Sequence, residues 1–116
     1  MTTYDENKKM PLEKLIAYRV ARELLQLVSK AEIRDARLRD QATRAAQSTA
    51  LNIAEAAGRQ SAADRVRVFR IARGECTEVW AALDIAQLTG KCSPEIAARG
   101  CAQAGRLFAL LTGLTR

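Results

Sequence analysis

Residues 38–90 read LRDQATRAAQSTALNIAEAAGRQSAADRVRVFRIARGECTEVWAALDIAQLTG, two consecutive helical patterns broken at one glycine. From about Arg37 to Ala57, small and apolar residues return at spacings of three and four: Leu38, Ala42, Ala45, Ala46, Thr49, Ile53, Ala56 and Ala57. That is the rhythm of one helical face, with no two-residue alternation of a strand. Gly58 suits the end of that helix. Ser61 followed by Asp64 reads as a new N-terminus, with a hydroxyl able to cap a free N–H and a carboxylate near the positive end of the dipole. The next helix runs from about Ala62 to Leu88 with Phe69, Ala72, Cys76, Val79, Leu83 and Ala86 on its core side, and Thr89 and Gly90 end it.

The same pattern continues on both sides. Upstream, Pro11 suits the first turn of a helix whose stripe is Ile16, Val20, Leu24, Leu27 and Ala31. Ala17, Ala21, Leu25 and Val28 widen that stripe beyond the arc one neighbouring helix covers, with Tyr18 at its edge, so this helix is expected to touch a second surface. Downstream, Ser93 and Pro94 fit the N-cap and first position of a fourth helix. Its core face reads Ile96, Ala97, Gly100, Cys101, Ala104, Leu107, Phe108, Leu111 and Leu114. Four amphipathic helices joined by short turns predict an all-α, antiparallel up-and-down four-helix bundle over residues 11–116, preceded by a flexible segment 1–10. Alanine and glycine along the second and fourth helices predict a narrow bundle.

A chain of 116 residues that is 48% hydrophobic and 28% charged is expected to hold one core and one domain. No apolar run approaches the roughly 20 residues of a membrane span, and the polar opening lacks a secretory apolar region, so the cytoplasm is the expected compartment. Histidine is absent. The commonest general base, nucleophile activator and metal-ligating imidazole are therefore missing, and no phosphate-binding loop, dinucleotide fingerprint, nucleophile elbow or zinc-protease motif is present. Cys76, Cys92 and Cys101 are odd in number and form no paired motif, so free thiols packed as small apolar groups are expected. No enzyme, no metal site and no cofactor are predicted.

Charge is unevenly spread. The whole chain carries nineteen Lys and Arg against thirteen Asp and Glu, a net +6. Residues 34–73 hold nine arginines (34, 37, 39, 44, 59, 65, 67, 70 and 73) against Asp35, Asp40, Glu55 and Asp64, which is +5 of that total. Guanidinium forks suit phosphate and carboxylate alike, so the surface fits a nucleic-acid backbone, an acidic protein partner or a simply solvated face. Arg59, Arg67, Arg70 and Arg73 are the candidate phosphate contacts. One Trp, two Tyr and two Phe make no extended stacking platform.

A mostly polar seam runs beside the core stripe of the second helix through Gln41, Ala45, Ser48, Asn52, Glu55 and Arg59. It reads either as a hydrated flank with i,i+4 pairs or as an interface between copies of the chain. In the second case an arginine must accompany Asn52 and Glu55, because an unpaired buried charge is costly. Gln41, Ser48, Asn52 and Glu55, with Tyr18 and Trp80, are the candidate interface residues. Trp80 is open to three uses: stacking on a base, packing under an arginine, or filling a gap between subunits.

The segment from Leu38 to Gly90 resembles the 23S rRNA intervening-sequence proteins, small bacterial four-helix-bundle proteins. The likeness rests on Leu38, Gln41, Arg44, Ala45, Ala46, Ser48, the run Asn52-Ile53-Ala54-Glu55, Gly58 and Arg59. Ala56 stands where the family usually has glycine, and Leu15-Ile16-Ala17-Tyr18 replaces a tryptophan-bearing stretch. The resemblance implies a homo-oligomer, commonly a pentameric ring, without known catalysis. Related accessory variability determinants of diversity-generating retroelements form similar rings and bind nucleic acid and reverse transcriptase. Two functions follow as expectations: a ring-forming accessory or scaffold protein that binds RNA or DNA backbone through arginines, or a module docking an acidic protein such as a reverse transcriptase without touching nucleic acid.

Overall fold

A computed structural model describes Leu12 and residues 15–116; the expected flexible segment 1–10 and the place of Pro11 lie outside the described residues. Four helices follow in order: α1 (Ile16–Ser29), α2 (Ala36–Ala57), α3 (Ala62–Leu88) and α4 (Pro94–Leu114), with no strand among the described residues. α2 and α3 make the most extensive interface; α3 also packs on α4, and α1 packs on both α2 and α4. Consecutive helices joined by short connections therefore close a four-helix bundle. Its thinnest extent is 20 Å, about two helix diameters.

The capping signals in the sequence act as expected. Ser61 Oγ accepts from the Asp64 N–H at 3.1 Å, and Ser93 Oγ accepts from the Ile96 N–H at 3.3 Å with Pro94 opening α4. A third cap was not foreseen. Asp35 accepts from the Leu38 N–H at 2.9 Å, which starts α2 at Ala36. Gly90 ends the α3 turn with φ of 70°, in the left-handed region where a side chain would be strained.

Val20, Leu24, Ile53, Val79, Leu83, Leu107 and Leu111 form the centre of the core. At Gly100 the backbone of α4 comes so close that a Cβ would overlap Leu83 Cδ1 and meet Leu27 Cδ2 at 3.0 Å. The two connections at one end of the bundle pair directly. The Arg34 N–H donates to the Lys91 carbonyl at 2.8 Å and Arg34 Nη2 to the Gly90 carbonyl at 2.7 Å, while Ile33 and Cys92 are buried beside these pairings. Thr49, a buried polar residue of the core, donates its hydroxyl to the Ala45 carbonyl at 2.7 Å.

Three sequence expectations need correction. The wide apolar arc of α1 serves two neighbours within the chain, since Ala17, Ala21 and Val28 are buried by α2 and α4, so it carries no argument for a further surface. Phe108 is 43% exposed on the α3 side of α4 rather than in the core. Ile16, the first residue of α1, and Ala57, the last of α2, are also exposed, because helix ends lose their cover first.

Candidate nucleic-acid interface

The nine arginines of residues 34–73 divide by what holds them. Three bond to backbone carbonyls. Arg34 donates to Gly90, Arg39 Nη1 to Ile33 at 3.1 Å, and Arg65 Nη1 to Arg59 and Gln60 at 3.0 and 2.9 Å. These bonds fix connections without cancelling charge.

Two are tied to carboxylates of their own chain. Arg59 pairs with Glu55 one turn back and, across the connection between α2 and α3, with Asp64 at 3.2 Å. Arg67 pairs with the same Asp64 at 2.9 Å, with its Nε at 3.1 Å from the same oxygen. The Arg67 hydrogen bond, helped by the nearby Arg59 charge, holds the Asp64 carboxyl below its ordinary value against a smaller opposing effect of burial, and the Glu55 hydrogen bond raises the Arg59 guanidinium further. Two of the four candidate phosphate contacts thus already have anionic partners.

The other two candidates do not. Arg70 is exposed on α3 and holds no ion pair, as do Arg37 and Arg44 on α2. Arg73 lies with its guanidinium carbon 5.5 Å from the centre of the Phe108 ring, and its Nη1 reaches the hydroxyls of Thr112 and Thr115 at 3.4 Å. All of these partners are neutral, so the charge of Arg73 stays available to an anion.

The candidate interface residues fall on separate surfaces. Gln41 and Ser48 line a groove between α2 and α3 with Arg37, Asp40, Arg44, Glu75 and Glu78. Burial, then the neighbouring Glu78, raises the Glu75 carboxyl there. Asn52 donates its amide to the Ser48 carbonyl at 2.9 Å and to its hydroxyl at 3.1 Å, and Glu55 is held by Arg59, so an arginine accompanies the seam. Tyr18 is half-buried against the core. Trp80 faces α4 instead, 44% exposed, and belongs to a different surface from the seam.

The thiols are free. Cys76 donates to the Ala104 carbonyl at 3.2 Å and is pushed up to about 11 by burial, while Cys92 and Cys101 are also raised by burial. A neutral, buried thiol is a poor nucleophile. No group of three or more His, Cys, Asp or Glu able to hold a metal occurs among the described residues. No described helix is long and apolar enough to cross a membrane.

What the fold and this surface define is a small antiparallel helical bundle with an arginine-bearing exterior, part of it neutralised from within. Comparison with known proteins gives the family: residues 13–113 match the model of the 23S rRNA-intervening sequence protein, and the chain belongs to that family. No curated protein matches the chain. A similar solved structure is a protein of unknown function from the S23 ribosomal protein family of Bacteroides thetaiotaomicron. It is 20% identical, with a TM-score of 0.79 over 87% of this chain and 99% of that one, a likeness of fold alone.

Proposed function

We propose that this chain is a non-enzymatic accessory or scaffold protein that assembles into a ring of copies in the cytoplasm and binds RNA or DNA backbone through its arginine surface. The observation that supports the reading is that Arg70 and Arg73, two of the candidate phosphate contacts, have no carboxylate partner, on a segment with a net +5. Guanidiniums that neutralise phosphates release the cations condensed on a nucleic acid, so such binding weakens with salt. The α2 seam is the proposed contact between copies, because its Glu55 and Asn52 already have partners, which lowers the cost of leaving water below that of an unpaired charge or amide.

Titration with RNA and with DNA across a range of salt tests the reading. Affinity falling steeply with ionic strength is expected; no binding at about 50 mM salt, or binding indifferent to salt, rejects it. Guanidiniums suit carboxylates equally well, so the second reading is an acidic protein partner such as a reverse transcriptase. A partner that co-purifies equally well after nuclease treatment favours that reading.

A further inference from the structure

The surface between α3 and α4 differs in kind from the rest. Cys76, Thr77 and Trp80 of α3 and Ala104, Gly105 and Phe108 of α4 enclose an open cleft of about 240 Å³. The two aromatic rings on its walls are 44% and 43% exposed. The floor offers no free polar group, for the Cys76 thiol is spent on the Ala104 carbonyl and the Thr77 hydroxyl on the Arg73 carbonyl at 3.2 Å. Such a cleft takes a flat, apolar-faced ring. It is below the roughly 300 Å³ of sites for drug-sized ligands, so it takes one ring system rather than a whole nucleotide.

Charge says what must accompany that ring. Arg73, on the Phe108 face, stands at one end of the cleft with neutral partners, and Arg70 follows about one turn away on α3 with no ion pair. Beyond Trp80 the groove continues into a second space of about 290 Å³ lined by Asp84, Gln87, Pro94, Ala97, Ala98 and Cys101, where Asp84 opposes a phosphate. A ring between two aromatics, an anion at the arginine end and no anion at the other end describe an unpaired nucleotide.

We infer that the α3–α4 cleft stacks an unpaired base of a single strand between Trp80 and Phe108 while Arg73 and Arg70 hold its phosphate. The inference rests on the nucleic-acid reading above and narrows it to single-stranded segments. Stacking in a cleft without free donors or acceptors accepts any base, so preference is for strandedness and not for sequence.

Trp80 is the one tryptophan of the chain and reports on the cleft by its own emission. The full chain is titrated at low salt with an oligoadenylate of about ten nucleotides and, separately, with a duplex of the same length. The single strand is expected to quench Trp80 and the duplex to leave it unchanged. Trp80→Ala is expected to weaken the single strand about tenfold or more, with duplex affinity unchanged and a lower melting temperature from the lost packing on α4, and Trp80→Phe, which keeps a ring, to retain most of the affinity and the stability. Salt-dependent binding of the oligoadenylate without any change in Trp80 emission overturns the inference and leaves the broader proposal standing. Emission that shifts with protein concentration alone shows a second copy covering the cleft, and also overturns it. Binding of neither strand removes both.

Discussion

Two adjoining stretches, the α2–α3 connection with the first two turns of α3 and the two turns that follow, use the same residue type in opposite ways. In the first stretch Arg59, Arg65 and Arg67 are held by Glu55, Asp64 and two carbonyls, and the forks of Arg59 and Arg65 lock the connection between α2 and α3. One turn further on, Arg70 and Arg73 have no carboxylate, and Arg73 is steadied by a ring and two hydroxyls that leave its charge intact. The difference shows that an arginine count measures potential and not availability. A guanidinium with an own-chain carboxylate must give up one partner to gain a phosphate, whereas one held by neutral groups gives up little.

The contrast is open to direct attack. The largest effect belongs to the close contact that brings α4 against Leu83 of α3 and Leu27 of α1. Gly100→Val places atoms where Leu83 and Leu27 already lie, and overpacking of this kind costs about 1–3 kcal/mol. Each kcal/mol lowers the melting temperature of a domain this size by about 4–8 °C, read by circular dichroism. An unchanged melt means that α4 does not approach so closely.

A smaller effect is expected at the neutralised end. Asp64→Asn removes the carboxylate shared by Arg59 and Arg67 while leaving the Ser61 cap, which uses the Asp64 backbone N–H. Arg67 is released while Arg59 keeps Glu55, and affinity for RNA is expected to rise by about twofold, with a modest loss in melting temperature. The Asp64 carboxyl is held below its ordinary value of 3.8, so its contribution is complete above that value and is lost as pH falls through the lower folded one. Wild-type stability therefore carries an Asp64 contribution that fades only below about pH 4, and the variant lacks that slope. Affinity that stays level in the variant means that the ion pairs never competed with phosphate.

The helices were legible because their signals are local. Ser61 with Asp64, Ser93 with Pro94, and the three-and-four spacing of Phe69, Ala72, Cys76, Val79, Leu83 and Ala86 need no knowledge of distant residues. The pairing of the two connections, which buries Ile33 and Cys92, joins Arg34 to residues more than fifty positions away and left no mark in the local pattern. Glu32 at φ of 53° was hidden for another reason: it takes a left-handed conformation without the glycine that signals one.

Periodicity placed Phe108 in the core because a helical flank and a helical face differ by a fraction of a turn. The candidate site was legible as a set of arginines but not as a division among them. Arg59 finds Asp64 across a turn, and Arg73 finds Thr112 and Thr115 some forty residues on, so which charges remain free is a property of the folded chain.

The division of the arginines is decided by two double variants, R59A/R67A and R70A/R73A, compared in the same single-stranded RNA titration across salt. R70A/R73A is expected to lower affinity about tenfold and to reduce the slope of log affinity against log salt by about 1.4, two contacts at about 0.7 each, with little change in melting temperature. R59A/R67A is expected to melt earlier and to change affinity by less than about threefold. Equal losses from the two pairs, or a greater loss from R59A/R67A, would contradict the division of the arginines on which the proposal stands.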